Sequence, residues 1–326
     1  MKVISVFNQK GGVGKTTTVV NLATALAKKE IKVLVIDLDP QANTTTGLGF
    51  DKNNIENSIY DLFYRDDEEN FNIKNYIKQT EEKVSIIPSE SSLSGLEVEL
   101  VALDQLERTR QLKNIVELLN DDYDLILIDC PPSLGLLSIN ALVSSDSIII
   151  PIQTEYYALE GVSELLKTFD LVKDSLNPKL ELEGVLLSMF DKRTKLSYEV
   201  VEEVKAFFKS KVFRTMIPRN IKLAEAPSFG KSAIVYDKSS RGARAYMTLA
   251  DEIIENLKLF QEQKLKEESK KENEEKKQED IDKSKEDFEE NKIIDDKNIN
   301  NEVNKNSNSK EQTDDKEVKE KEGDND

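Results

Sequence analysis

Short apolar runs rich in β-branched residues alternate, over the first 260 residues, with longer segments of helical period. The runs are Val3 to Phe7, Val33 to Ile36, Val84 to Ile87, Leu125 to Ile128, Ile148 to Ile152, Val185 to Met189 and Val212 to Ile217. Unbroken apolar runs of this length suit parallel strands covered on both faces, so each predicts a strand. After the first run Val19, Leu22, Ala23 and Leu26 form a stripe at i, i+3, i+4 and i+7, and similar periods recur over 158–172, 197–208 and 242–259. Strand alternating with helix predicts an α/β fold, a doubly wound, mostly parallel sheet flanked by helices, with ligands at the carboxyl ends of its strands.

The pattern stops near residue 260. From Gln261 to Asp326 there are 15 lysines against 24 carboxylates, a net charge of -9, with eight apolar residues in 66. Such a stretch cannot bury enough surface to offset its ordering entropy, so 1–260 reads as one domain and 261–326 as a disordered acidic tail. The whole chain has 326 residues, a net charge of -17, one Cys and no His. Without His, histidine acid–base catalysis and most zinc chemistry are excluded. A lone Cys forms no intrachain disulfide and suits a reducing cytoplasm. No apolar run approaches the roughly 20 residues that span a bilayer, and Met1 to Phe7 is too brief for a signal peptide, which points to a soluble intracellular protein.

Directly after the first predicted strand comes Gln9-Lys10-Gly11-Gly12-Val13-Gly14-Lys15-Thr16-Thr17-Thr18, and then the first helical stripe. Glycines let the backbone turn its N–H groups inward around a phosphate, and the helix N-terminus adds partial positive charge. Lys15 is placed for the β/γ oxygens and Thr16 offers a hydroxyl to Mg²⁺. The usual P-loop has Gly five residues before Gly14, where Gln9 stands here and a second lysine, Lys10, follows.

Lys-Gly-Gly-Val-Gly-Lys-Thr-Thr resembles the deviant P-loop of the family that includes ParA/Soj partition ATPases, MinD, the nitrogenase iron protein and bacterial tyrosine kinases. The segments Asp37 to Asn43, Ile128 to Gly135, Glu155 to Gly161 and Ile217 to Gly230 also read like the chromosomal Soj type of ParA. The resemblance covers about residues 1–258 and implies an ATPase using ATP and Mg²⁺. Gly11, Gly12, Val13, Gly14, Lys15, Thr16 and Thr17 would cradle the phosphates, Asp39 would orient the attacking water with Asp37 supporting the same switch loop, and Asp129 would hold Mg²⁺ with Thr16 and Asp39. Cys130 reads as a small core residue. Lys10, by itself only an extra cation in an anion-binding loop, would reach across a two-fold, ATP-dependent homodimer to the partner's phosphates. The adenine pocket would involve Met189, Pro218 and Asn220. The Asn-Lys-x-Asp pattern of guanine-specific P-loop proteins is absent, which favours ATP.

An acidic chain argues against nucleic acid as a partner, but the sum hides a local excess. Between Met189 and Ala245 there are 13 Lys and Arg against six acids, a net of +7. Clustered basic residues are the electrostatic footprint of phosphate-backbone binding. The resemblance places non-specific DNA contacts in this region, with Arg193, Lys195, Arg219 and Lys222 as candidates, and implies a ParB-like partner, segregation of a chromosome or plasmid, and a cytoplasmic, nucleoid-associated location. Tyr156 and Tyr157 read as packing residues. The alternative is a nucleotide-gated regulator of replication or division, either MinD-like or a scaffold. The acidic C-terminal stretch lacks the amphipathic face a MinD-like membrane anchor needs, the iron protein's cluster needs cysteines beyond Cys130, and no C-terminal tyrosine cluster follows Tyr246.

Overall fold

Six of the seven predicted runs form strands of one seven-stranded sheet. The computed structural model describes residues 1–64, 71–119, 122–155, 160–266 and 269. The strands are β1 (Lys2–Val6), β2 (Val33–Asp37), β3 (Lys78–Gln79), β4 (Ser85–Ile87), β5 (Leu125–Asp129), β6 (Ser147–Gln153) and β7 (Glu181–Ser188), in the order β3-β4-β2-β5-β1-β6-β7. All pairings are parallel except the short β3–β4 edge. The central strand β1 is flanked by β5 on one side and β6 on the other, so the chain winds outward from it in both directions, and the loop after β1 opens at the resulting crevice.

The helices are α1 (Lys15–Ala27), α2 (Asn43–Gly47), α3 (Ile59–Phe63), α4 (Leu93–Leu100), α5 (Glu107–Glu117), α6 (Leu136–Ser144), α7 (Glu160–Ser175), α8 (Lys195–Phe208), α9 (Ile221–Glu225), α10 (Ala233–Tyr236) and α11 (241–258). Alternate residues of each strand feed two cores. Val3, Ile126 and Ile128 join Leu112, Leu137, Leu165 and Val204 on one face, while Ile4, Val6, Leu125 and Leu127 join Leu22, Leu26, Leu249 and Ile253 on the other. Leu22 and Leu26 are fully buried on α1, each worth about 2 kcal/mol of transfer free energy. That burial anchors the first turn of the helix, which carries the glycine-rich loop.

The chain divides into two units, Met1–Lys258 and Leu259–Asp326. In the second unit residues 259–266 are helical. Residues 267–268 and 270–326 of the acidic stretch, and Tyr156 and Tyr157, lie outside the described residues.

The run Val212 to Ile217 is the exception and forms only isolated bridges, Val185 with Val212 and Phe190 with Pro218. The Phe213 N–H donates to Val185 O and the Ile217 N–H to Leu187 O, so four residues here span what two residues of β7 cover. The excess is taken up by Glu252, whose carboxylate accepts the N–H groups of Arg214 (2.9 Å) and Thr215 (2.8 Å). Those two backbone donors are satisfied by a side chain of α11, and no ladder forms.

At the end of the sheet opposite the glycine-rich loop, Lys2 and Glu183 form a buried ion pair, and Glu183 also accepts from Ser147 (2.7 Å) and Asn256 (2.8 Å). Burial pushes the Glu183 carboxyl up, but the charge and hydrogen bond of Lys2, with the bonds from Ser147 and Asn256, outweigh it and leave it below its usual range. A depressed carboxyl contributes stability above its unfolded pKa, about 4.3, and loses it as pH falls through the lower folded value. Glu183→Gln is expected to cost about 3 kcal/mol at pH 7 and to flatten the loss of stability between about pH 5 and pH 3. Denaturant titrations across that range check it, and parallel curves for the two proteins would contradict it.

Candidate functional site

The loop after β1 turns back on itself through two glycines in the left-handed region, Gly12 (φ 75°) and Gly14 (φ 96°), and Gly14 caps the start of α1. Two buried ties hold the loop. Asn8 donates to Pro151 O (2.8 Å) and accepts the Lys10 N–H (3.0 Å), while Ser188 Oγ, at the end of β7, donates to Val13 O (2.8 Å). Pro151 sits in β6 beyond the last residue paired to β1, where its missing N–H costs nothing on that side. A methyl group placed on Gly11 or Gly12 would meet nothing within 4 Å, and both glycines border open space. That space is a cavity of about 330 Å³ lined by Gly11, Gly12, Gly14, Lys15, Thr16 and Thr17 on one side and by Asp39, Asn43, Pro132 and Met189 on the other. Lys15 is buried, its Nζ folded back onto Lys10 O at 3.3 Å; burial pulls its pKa down, while Asp129, Cys130 and Asp39 push it back up. Lys10 is exposed, and no ion pair engages it among the described residues.

Beneath the cavity, β2 and β5 pair Asp37 with Asp129, two carboxylates with no exposure to solvent. Their hydrogen bonds come from threonines and main chain, while Lys15 acts on Asp129 only through its charge. Thr16 Oγ1 (2.7 Å) and Thr44 Oγ1 (2.6 Å) both donate to Asp129 Oδ2, and Thr45 donates its N–H and its hydroxyl, each at 2.7 Å, to Asp37 Oδ2. Burial first, and then the Asp129 charge, pushes Asp37 up to about 8. Burial also pushes Asp129 up to about 6 against the pull of Thr44 and Thr16. Asp129 Oδ1 has no hydrogen-bond partner, although it is buried. An orphaned carboxylate oxygen beside a threonine hydroxyl fits a hard divalent cation. No cluster of three His, Cys, Asp or Glu ligands exists among the described residues, and a cation here would have room for ligands from phosphate and water, as Mg²⁺ prefers. Cys130 is fully buried and pushed up to about 12 by burial and then by Asp129, the state of an inert core thiol.

Asp39 is nearly buried. Its Oδ1 accepts the Gln41 N–H at 2.9 Å, and Ala42, in the left-handed region at φ 52°, turns the chain into α2. A second, more apolar cavity of about 250 Å³ adjoins the first through Gly14, Thr17 and Met189, and is walled by Ile217, Pro218, Asn220, Leu223 and Tyr246. It unites the three candidates for the base, Met189, Pro218 and Asn220. Tyr246 and Leu223 were not legible as part of it. Tyr246 comes from α11 and hydrogen-bonds Thr18 of α1 (3.1 Å), and nothing local marks such a residue.

A third groove, of about 680 Å³, shares Pro218 to Asn220 with the apolar cavity and collects Arg193, Arg219, Lys222 and Arg241 around Phe190 and Ile221. Lys195 lies outside its lining. Each candidate cation is engaged by a carboxylate, Arg193 by Asp191 (2.6 Å), Lys195 by Glu199 (3.0 Å), Arg219 by Glu155 (3.0 Å) and Lys222 by Glu225 (2.9 Å). The bonds and charge of Arg193 hold Asp191 well below the usual carboxylate range. The Arg193 pair is two-pronged, with Nε and a terminal nitrogen on the two Asp191 oxygens, whereas the other three are single exposed contacts that can exchange for another anion.

A glycine loop between a central parallel strand and a helix, a buried lysine beneath it and a strand-end aspartate bonded to the following threonine define a P-loop nucleotide-binding protein. Residues 1–182 match the family model described as an AAA domain. Over 256 residues the chain is 52% identical to the sporulation initiation inhibitor protein Soj of Bacillus subtilis (strain 168), which covers 78% of this chain and 99% of that protein. It is 48% identical over 254 residues to the chromosome partitioning protein ParA of Myxococcus xanthus, covering 78% of this chain and 88% of that one. Among solved structures, the cobyrinic acid a,c-diamide synthase of Mycobacterium smegmatis with bound ADP and magnesium superposes with a TM-score of 0.68 at 33% identity, covering 79% of this chain and 96% of that one. The chain belongs to the Soj/ParA family of chromosome-partitioning P-loop ATPases. No helix among the described residues is long and apolar enough to cross a membrane.

Because Gly12 faces open space at positive φ, a side chain there costs little in protein contacts but fills the phosphate position. Gly12→Ala is expected to lower stability by about 1 kcal/mol while reducing affinity for a fluorescent ATP analogue at least tenfold. An unchanged affinity would show that no ligand occupies the loop.

Proposed function

We propose that this chain is a partitioning ATPase that dimerises on ATP, binds DNA without sequence preference in that state, and is cycled by a ParB-like partner during chromosome or plasmid segregation. The observation that carries the reading is the arrangement around the phosphate cavity, lined by Lys15, buried beneath the loop, and by Asp39, with Lys10 next to the lining in sequence, exposed and in no ion pair among the described residues. In this reading the loop amides and Lys15 bind the phosphates of ATP, and Met189, Pro218 and Asn220 bound the adenine. Thr16, Asp39 and Asp129 would hold Mg²⁺, which when bound would supply positive charge against the phosphate oxygens. Asp39 orients and accepts a proton from the attacking water. Lys10 reaches the phosphates of a second copy, which makes the dimer depend on nucleotide. Arg193, Lys195, Arg219 and Lys222 exchange their carboxylate partners for DNA phosphates, which carry no base information. Residues 1–260 are sufficient for these activities, and the charged residues 261–326 stand outside them. The protein acts in the cytoplasm on nucleoid DNA.

A second reading, a nucleotide-gated regulator, is favoured by the name of the Bacillus relative, a sporulation initiation inhibitor. The two differ in whether hydrolysis is needed.

Lys15→Ala is expected to abolish ATP-dependent dimerisation, and Asp39→Ala to keep ATP binding while slowing turnover about a hundredfold and trapping the dimer. Gel filtration with ATP and a phosphate-release assay check both, and a monomeric Asp39→Ala protein at saturating ATP contradicts the assignment. For DNA, a dimer making about six phosphate contacts is expected to lose about a thousandfold in affinity between about 50 and about 200 mM salt, with Arg193→Glu flattening that slope equally on unrelated sequences. Fluorescence anisotropy with ATP and with ADP measures it. Equal binding with both nucleotides, or a strong preference for one sequence, sinks the ATP-gated reading.

A further inference from the structure

Three hydroxyls tie down the switch segment from Asp39 to Thr45, beside the bonds from the Asp39 N–H to Asp37 Oδ1 (3.3 Å) and from Lys52 to Gln41 O (3.0 Å). Thr44 donates to Asp129 of β5 and Thr45 to Asp37 of β2, both ties to carboxylates already in the site. The third comes from beyond the site, from Ser89, just past the end of β4 and fully buried. Its Oγ donates to Asp39 O at 2.8 Å, and its N–H donates to Thr45 Oγ1 at 3.0 Å.

The backbone explains why a side chain is needed there. The β2–β4 ladder runs in parallel up to the pair Ile36 and Ile87, and the next N–H that strand alternation turns toward β2, that of Ser89, goes to Thr45 Oγ1 instead of to main chain. The hydroxyl is therefore the group that extends pairing to the main chain of Asp39. The carboxylate of Asp39 is otherwise engaged within its own turn, at the Gln41 N–H. Its position over the phosphate cavity therefore follows the main chain, and the main chain is fixed from the β4 side by one hydroxyl.

We propose that Ser89 is a positioning residue for hydrolysis, acting through the Asp39 main chain to hold the Asp39 carboxylate at the water-orienting position. This rests on the reading of Asp39 given above. Ser89 lines neither the phosphate cavity nor the apolar one and contributes to turnover rather than to binding.

The test uses the full chain and Ser89→Ala, with a melting curve to establish folding. Loss of one buried hydrogen bond lets the segment depart from its position about fivefold to tenfold more often. Turnover at saturating ATP is expected to fall by that factor, affinity for a fluorescent ATP analogue to stay within about twofold, and amide exchange over 39–45 to accelerate by a similar factor. On an Asp39→Ala background, Ser89→Ala is expected to bring no further loss of residual turnover, because both changes act on one path. The proposal is overturned if Ser89→Ala leaves turnover and exchange unchanged, if affinity falls in step with turnover, or if the same loss appears without Asp39. Absence of hydrolysis by the unsubstituted protein would defeat the ATPase reading alone, and exchange over 39–45 would still decide whether Ser89 holds the segment.

Discussion

Two carboxylates without solvent lie side by side at the carboxyl ends of β2 and β5, and much of the site is organised around keeping them there. Neither Asp37 nor Asp129 has a lysine or arginine in hydrogen-bonding contact. Three threonines supply the compensation, Thr16 from the first turn of α1 and Thr44 and Thr45 from α2. Hydroxyl donors are weaker than a cation, so both groups remain above their usual range and one oxygen of Asp129 goes unsatisfied. Isolated buried charge is costly, and a site left short of positive charge is one that a cation and its phosphates complete. The same bonds join the first turn of α1, the switch segment and the central strands into one hydrogen-bonded unit.

Sheet order brings these parts together. Because β1 lies between β5 and β6, the loop after β1 faces the end of β5 on one side and, across β6, the end of β7 on the other. Ser188 at that end clamps Val13, and the adjoining Met189 takes the left-handed backbone at φ 52° that carries the chain from β7 into the wall shared by the two nucleotide-side cavities. The apolar cavity and the basic groove in turn share Pro218 to Asn220. Nucleotide and the proposed DNA surface are thus separated by one short segment, whose helix α9 begins at Asn220 through a side-chain cap on the Lys222 N–H (2.8 Å).

Charge on this protein is meaningful only locally. A net of -17 describes the whole chain, yet the groove lined by 190–193, 218–222 and Arg241 gathers arginines and lysines, of which Arg219 and Lys222 have exposed carboxylate partners. Pairs of that kind hold side chains in place without committing them, since salt and competing anions replace them at small cost.

What the amino-acid sequence determined by itself was whatever rests on local pattern. Apolar runs bounded by turns marked six of the seven strands, because a parallel strand buried on both faces has to be apolar throughout. The glycine–lysine–threonine loop declared the phosphate cavity, because its chemistry needs those residue types at adjacent positions. Tertiary structure decided the rest. Val212 to Ile217 has the composition of a strand, but Glu252 from α11 captures two of its backbone donors and the ladder does not form. Tyr246 enters the nucleotide-side cavity from a helix more than two hundred residues after the loop it meets. Ser89, in a stretch of serines with no distinguishing neighbours, acquires its place only because its N–H is taken by Thr45 and its hydroxyl meets the main chain of Asp39. Residues of this kind act through contacts between distant segments, and which donor meets which acceptor there is set by strand order and register, quantities that no local window of sequence contains.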